Sequence, residues 1–226
     1  MPHKRPSDNV ELNVEYPQEE EFALSNSTTA SYYHFFYFPE RVDRYFERYV
    51  TFRENDASTW KRAYDKLLKK AAATMPGKNY LVIKNPVNTA RVNILSNLYP
   101  DARFIHIYRN PFIVFLSTKK FFIELMPTLW LHKVSEETIE QMILDKYCAF
   151  MDRYYSPEVN RGKVVEIRFE SFENNPLEGL EKIYTSLGIP DFDKVKPHFS
   201  SYINRKKGYR KNEYSISRRE VQLVRQ

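Results

Sequence analysis

Apolar residues along the chain recur in two patterns, one typical of strands and one of helices. Short apolar runs at 80–83, 104–108 and 163–169 predict three strands. Apolar side chains at helical spacing predict helices over 58–74, 86–98, 135–155 and 176–187, with a further helix that begins at Asn110 and Pro111. Because the strands alternate with helices, the sequence predicts an α/β fold whose parallel sheet is covered by helices on both faces.

The first 53 residues are dominated by aromatic side chains. Residues 1–30 show little periodicity, whereas 31–53 are aromatic and charged. Tyr45, Phe46 and Tyr49 recur at helical spacing and predict a helix packed into the core. The aromatic side chains between 32 and 49 are compatible with core packing and also with the wall of a ligand pocket.

Composition limits the class of protein. The chain has 226 residues, of which 42% are hydrophobic and 28% charged, so we expect one folded domain. No apolar run approaches the ~20 residues that a membrane span requires, and the polar first residues do not form a secretory signal. Cys148 stands alone and the five His are scattered, so neither a disulfide framework nor a metal site is predicted. These features favour a cytoplasmic protein.

The excess positive charge lies at the C-terminal end. Residues 205–226 carry eight Lys and Arg against two Glu, which accounts for the net charge of +6. We therefore divide the chain into a domain at 1–204 and a basic tail at 205–226. The tail is compatible with a solvated terminus, with a flap that covers an anion, and with an arm that binds nucleic acid.

Glycine is scarce, and this excludes the usual phosphate-binding loops. There are five Gly, and none precedes Gly77. A loop that cradles phosphate needs glycines so that backbone N–H groups can approach the anion closely. Neither a P-loop nor a dinucleotide-binding fingerprint can be written on this chain.

Charged side chains follow two of the predicted strands, where ligands of open parallel sheets gather. Lys84 follows the first strand, and Arg109 follows the second. The guanidinium fork of Arg109 is suited to bidentate contact with a phosphate. Ser117 comes eight residues later, about 80° from Arg109 around the helix axis, so that its hydroxyl could reach the same anion. Pairing of Arg109 with a carboxylate is the alternative.

The segments around these residues resemble the sulfotransferases that use 3′-phosphoadenosine-5′-phosphosulfate (PAPS). The resemblance lies in 81–86 (LVIKNP), 98–111 (LYPDARFIHIYRNP) and 114–117 (VFLS). Further similar segments are 165–170 (VEIRFE) with Asn175, Pro176, Leu187 and Gly188, and also 5–9 and 17–24. The resemblance implies a three-layer α/β fold in which helices flank a parallel sheet.

The resemblance also implies roles for the marked residues in binding the donor. Arg109 and Ser117 would bind the 3′-phosphate of PAPS. Lys84 would lie near the acceptor or the transferred sulfuryl group; a surface lysine at a strand end is the alternative. No metal is implied, because the sulfuryl group is already activated by its anhydride link to phosphate.

The resemblance places the general base in an acidic run. One of Glu19, Glu20 and Glu21 would take the proton of the acceptor hydroxyl, with a slight preference for Glu19. Glu19 and Glu21 would share one side if the segment is extended. A solvated acidic loop is an equally good interpretation. In the tail, Arg210 and Lys211 are candidates to close over the nucleotide.

Relative to this family, the sequence is expected to be truncated at its N-terminus. The family begins with a strand and a "P-R-S-G-T-T"-like loop that wraps the 5′-phosphosulfate, and Arg5 already resembles the segment downstream of that loop. The resulting hypothesis is a sulfotransferase that transfers a sulfuryl group from PAPS to the hydroxyl of an unknown acceptor. The alternatives are a non-catalytic nucleotide-binding or interaction module on the same fold, and a nucleic-acid binder that uses the tail.

Overall fold

The computed structural model of the chain describes residues 10, 11, 13, 15–53, 57–206, 208 and 211–226, and these are mostly helical. The α-helices are α1 (Glu20–Ser27), α2 (Val42–Phe46), α3 (Ser58–Ala73), α4 (Val92–Leu98), α5 (Pro111–Glu124), α6 (Glu136–Tyr154), α7 (Phe169–Asn174), α8 (Pro176–Ser186), α9 (Phe192–Lys206) and α10 (Arg218–Arg225). The strands are β1 (Phe104–Tyr108) and β2 (Val164–Arg168). Within the described ranges, no helix has both the length and the apolar composition needed to cross a bilayer.

Short turns of other helical types connect these elements. Tyr32–Phe36 and Pro39–Arg41 are 3₁₀ turns that precede α2, and Glu47–Thr51 is a π-helical turn that continues it. Further 3₁₀ turns are Pro86–Arg91, Met126–Thr128 and Arg161–Lys163.

The sheet consists of two parallel strands. β1 and β2 pair in register from Phe104 opposite Val164 to Tyr108 opposite Arg168. This confirms the second and third predicted strands and the parallel arrangement. The crossover between them contains α5 and α6, as parallel pairing requires.

The first predicted strand is wrong. Residues 80–83 form no strand, and their apolar side chains are exposed, Val82 to 86%. A strand is stable only when a neighbour pairs with its backbone, and no described segment does so here. The sheet is therefore smaller than the three-layer arrangement that the sequence predicts.

Helices cover the sheet unevenly. Val165 and Ile167 of β2 are buried against Ile183 of α8. The residues opposite them in β1, Ile105 and Ile107, are 45% and 50% exposed. The predicted covering of both faces thus holds for β2 but not for β1, and the far edge of β1 pairs with no strand among the described residues.

The predicted helices appear with small shifts at their ends. α6 begins after Ser135, whose side chain accepts a hydrogen bond from the backbone N–H of Thr138. α5 begins after Asn110, which caps it in the same way through Phe112. The predicted helix at 86–98 is divided into a 3₁₀ turn and α4. Ser58 is the first residue of α3 and not its N-cap.

The largest core cluster lies between the aromatic segment and the helices α2, α5 and α6. Tyr32, Phe35 and Phe46 are buried in it, together with Phe122 of α5 and Ile139 of α6. Core packing therefore explains most of the aromatic side chains between 32 and 49. Burying large rings contributes strongly to the stability of such a core.

Candidate functional site

Two residues that are 65 positions apart in sequence meet at the start of α1. Glu19 is the N-cap residue of α1, and its carboxylate forms an ion pair with the ammonium of Lys84. Asn85 holds the neighbouring backbone: its side chain accepts a hydrogen bond from the backbone N–H of Val87 at 3.0 Å and donates one to Glu20 at 3.1 Å. Lys84 is 78% exposed and Glu19 17%, so the pair lies at the surface.

Tyr33 completes the surroundings of Glu19. Its hydroxyl donates a hydrogen bond to the second carboxylate oxygen of Glu19, while Lys84 binds the first. Burial and the neighbouring carboxylate of Glu19 raise the pKa of Tyr33 well above its usual range, so the hydroxyl remains a donor. The carboxylate of Glu19 is thereby fixed in orientation next to solvent.

Glu20 points into a polar cluster. Its Oε1 atom accepts hydrogen bonds from the hydroxyl of Tyr64 at 3.0 Å and from the amide of Asn88 at 2.8 Å. Asn85 donates the third bond to this atom. Glu20 thus links α1 to α3 and to the turn that begins at Pro86.

Glu21 is part of a buried ion pair. Glu21 and Arg91 are both 0% exposed, and their closest approach is 2.6 Å. Burial would raise the pKa of Glu21, but the charge and hydrogen bonds of Arg91 outweigh it and hold the pKa below its usual value. Arg91 also donates to the carbonyl of Tyr49 at 3.0 Å and lies over the ring of Trp60.

The three carboxylates of the acidic run therefore have three different environments. Because α1 begins at Glu20, the extended conformation considered for this segment does not occur. Successive residues of a helix point about 100° apart. Glu19 faces solvent beside Lys84, while Glu21 faces the interior.

Arg109 and Ser117 lie on one strand–helix unit. Arg109 follows β1, and its guanidinium packs over the ring of Phe169 at 4.5 Å from the centroid. Within the described part of the chain it forms no ion pair. Ser117 is half-buried two turns into α5. The N-terminus of α5 is occupied by a carboxylate, since Glu170 accepts a hydrogen bond from the backbone N–H of Asn110 at 3.1 Å.

The basic tail is folded against the helices. α10 has a capping box formed by Ser217 and Glu220. Arg219 donates hydrogen bonds of 2.9 and 2.6 Å to the carboxylate of Glu140, and Lys119 donates to the same group at 2.8 Å. Because Glu140 is 2% exposed, the tail is attached to a buried carboxylate.

The two tail residues considered for nucleotide closure have different outcomes. Lys211 forms an ion pair with Glu173. Arg210 lies outside the described residues. The closing role of both stays a prediction.

Acid is expected to weaken the attachment of the tail. The hydrogen bonds from Arg219 are the main reason why the pKa of Glu140 falls from 4.5 to about 2. A carboxyl whose pKa is lower in the folded state contributes stability that is present above its unfolded pKa and is lost as the pH falls. Glu140→Gln is therefore expected to destabilise the protein by about 2 kcal/mol at neutral pH.

Urea unfolding of the parent and of Glu140→Gln at several pH values measures this effect. The difference in unfolding free energy should shrink between about pH 4.5 and pH 2, the window set by the two pKa values. A difference that is constant over this range would contradict the assignment to the ionised form of Glu140.

Sequence reasoning missed Tyr33 and Arg91 as partners of the acidic run. Tyr33 lies in a run of aromatic residues that gives no sign of a polar contact. Arg91 lies at an apolar face of a predicted helix, 70 residues from Glu21, and a charge on such a face is the one available signal.

Comparison with known proteins agrees with the motifs. A family model described as "Sulfotransferase family" matches residues 3–194. Two curated proteins named omega-hydroxy-beta-dihydromenaquinone-9 sulfotransferase Stf3, from Mycobacterium bovis and Mycobacterium tuberculosis, are each 27% identical over 222 residues. The match covers 94% of this chain but 55% of each relative, so the chain spans about half their length. No solved structure matches significantly.

Proposed function

Because this chain belongs to the sulfotransferase family, we propose that it carries the acceptor-activating and 3′-phosphate-binding parts of a sulfuryl-transfer site. The donor is PAPS, and the acceptor is a hydroxyl group. The acceptor oxygen forms a new bond to sulfur as the bond between sulfur and the phosphate oxygen breaks. The hydroxyl proton passes to a carboxylate of the protein, and 3′-phosphoadenosine 5′-phosphate leaves.

The meeting of Glu19, Lys84 and Tyr33 carries this proposal. A general base must lie within hydrogen-bonding reach of the proton it removes, so it must be accessible and oriented. Glu19 meets both requirements, because Lys84 and Tyr33 bind its two oxygens while one side faces solvent. The ammonium of Lys84 brings a positive charge to the place where negative charge moves during transfer.

The surroundings of the other two carboxylates assign them to structure. Glu21 neutralises the buried guanidinium of Arg91 and has no exposed surface. Glu20 is held by Tyr64 and Asn88. The proposal therefore selects Glu19 as the base and leaves Glu20 and Glu21 to hold α1 in place.

Arg109 and Ser117 are proposed to bind the 3′-phosphate of the donor. The ring of Phe169 supports the guanidinium of Arg109 without neutralising it, so its donors remain available for an anion. The partners of the tail weigh against the nucleic-acid alternative, since Arg219 and Lys211 both bind carboxylates of the protein.

Calorimetry with 3′-phosphoadenosine 5′-phosphate tests the donor site in the chain of 226 residues. Arg109→Ala is expected to weaken binding about 10- to 100-fold, because hydrogen bonds to charged groups contribute about 1.5–3 kcal/mol. Arg62→Ala, which removes an exposed guanidinium from α3, is the matched control and should bind as the parent does.

Two results would contradict the donor site. One is a parent chain that does not bind the nucleotide, and the other is an Arg109→Ala variant that binds it equally well. Nucleotide binding without transfer of label from PAPS to any hydroxyl would favour the non-catalytic alternative. The acceptors to be tried first are lipids with a terminal hydroxyl, since the similar Mycobacterium proteins are named for such a molecule.

A further inference from the structure

A second polar cavity lies apart from the proposed transfer site. It has a volume of about 250 Å³ and is lined by Arg41, Arg44, Arg48, His34, Tyr45 and Tyr49, among others. None of Glu19, Lys84, Arg109 and Ser117 contributes to its wall. The cavity is therefore independent of the residues to which the proposed function assigns chemistry.

The three arginines reach the cavity because of their spacing. Arg41, Arg44 and Arg48 are separated by three and four residues along α2 and its flanking turns, so they lie on one face. The opposite face consists of Val42, Phe46 and Val50, which are buried in the core. The buried stripe fixes the rotation of the helix and keeps the arginine face outward.

The wall of the cavity contains no carboxylate. Neither Arg41 nor Arg44 forms an ion pair with the described residues, and both are exposed. The nearby carboxylate of Asp43 is engaged by Lys146. Three guanidinium groups on one face repel one another, and a bound anion would relieve that repulsion.

His34 and two tyrosines form the rest of the wall. The ring nitrogens of His34 lie 3.0 Å from the carbonyl oxygen of Ser31 and 3.2 Å from that of Ser25. Carbonyl oxygens only accept hydrogen bonds, so both contacts are hydrogen bonds only when both nitrogens carry protons. The ring of Tyr45 stacks between those of His34 and Tyr49, at centroid distances of 6.0 and 6.4 Å.

We propose that this cavity binds a ligand with a phosphomonoester or diphosphate group. Guanidinium forks match phosphate oxygens in bidentate geometry, and Arg41 and Arg44 supply two forks on one face. The stacked rings of Tyr45 and Tyr49 provide a flat apolar surface for the organic part of the ligand. The phosphate can belong to a soluble molecule or to a lipid headgroup, and the binding chemistry is the same.

Calorimetric titration with inorganic pyrophosphate at low salt tests the site. The double variant Arg41→Gln/Arg44→Gln is expected to bind at least 10-fold more weakly than the parent. Arg62→Gln on α3 is the matched control, since it removes an exposed guanidinium elsewhere. Both arginines are exposed, so the double variant should unfold at the same temperature as the parent.

A second measurement distinguishes the two sources of phosphate. Co-sedimentation compares phosphatidylcholine vesicles with vesicles that also contain phosphatidic acid. Binding to pyrophosphate alone supports a soluble ligand, and binding to the acidic vesicles that is lost in Arg41→Gln/Arg44→Gln supports a lipid headgroup. Failure of the parent in both assays, or equal binding by the double variant, overturns the proposal.

Arg109→Ala separates this proposal from the proposed function. Pyrophosphate binding at the cavity should survive Arg109→Ala, while binding of 3′-phosphoadenosine 5′-phosphate should weaken. Loss of pyrophosphate binding in Arg109→Ala would show that the anion occupies the donor site, and would overturn the assignment to the cavity.

Discussion

Replacing Glu19 by Gln is expected to slow sulfuryl transfer by a factor of about 10²–10⁴, the usual contribution of general acid–base catalysis. The amide has nearly the same shape as the carboxylate but cannot take the proton of the acceptor hydroxyl. The rate is measured as transfer of label from radioactive PAPS to the acceptor at saturating concentrations of both.

Stability measurements separate this catalytic role from a structural one. The pair between Glu19 and Lys84 is exposed on the lysine side, and such pairs contribute about 0–1 kcal/mol. Glu19→Gln should therefore unfold close to the parent. Glu15→Gln, an exposed carboxylate in the same segment, is the control and should keep the parent rate. A Glu19→Gln variant that transfers at more than half the parent rate would exclude Glu19 as the base.

Replacing Arg91 by Met is expected to destabilise the protein by about 3–5 kcal/mol, because it leaves the carboxylate of Glu21 buried without a partner. The variant also loses the hydrogen bond to the carbonyl of Tyr49 and the contact with Trp60. Domains of this size are stable by about 5–15 kcal/mol, so the variant would retain little of that stability. Urea unfolding followed by circular dichroism measures the change.

Two further variants show whether the unpaired charge is the cause. Lys69→Met removes an exposed ion pair with Asp65 and is expected to cost less than about 0.5 kcal/mol. The double variant Glu21→Leu/Arg91→Met removes both buried charges and should recover part of the lost stability. If Arg91→Met unfolds within about 1 kcal/mol of the parent, the buried pair is not a major source of stability.

The elements that were predicted correctly are those with a local signal. The caps Asn110 and Ser135 and the apolar stripes after them are sufficient to locate α5 and α6. β1 and β2 are apolar runs whose partners lie in the same chain. The run at 80–83 looks alike in sequence, but pairing depends on a neighbour that local sequence does not specify.

The candidate site was predicted in composition but not in arrangement. The sequence singles out Lys84 and the acidic run, because both carry charge at positions where strands or turns end. It does not show that Lys84 binds Glu19 and that Arg91 binds Glu21, because these contacts join segments 65 and 70 residues apart. The family membership is supported over residues 3–194, while the roles of individual side chains stay predictions.

The start of α1 leaves the polypeptide no freedom in length there. Inserting or deleting one residue just inside α1 would rotate the side chains beyond it by about 100° relative to Glu19. The carboxylate of Glu21 would then turn away from Arg91 while Glu19 kept its neighbours, so interior and surface would fall out of phase. Frame-preserving indels at this point should therefore be far more harmful than substitutions in the same few positions.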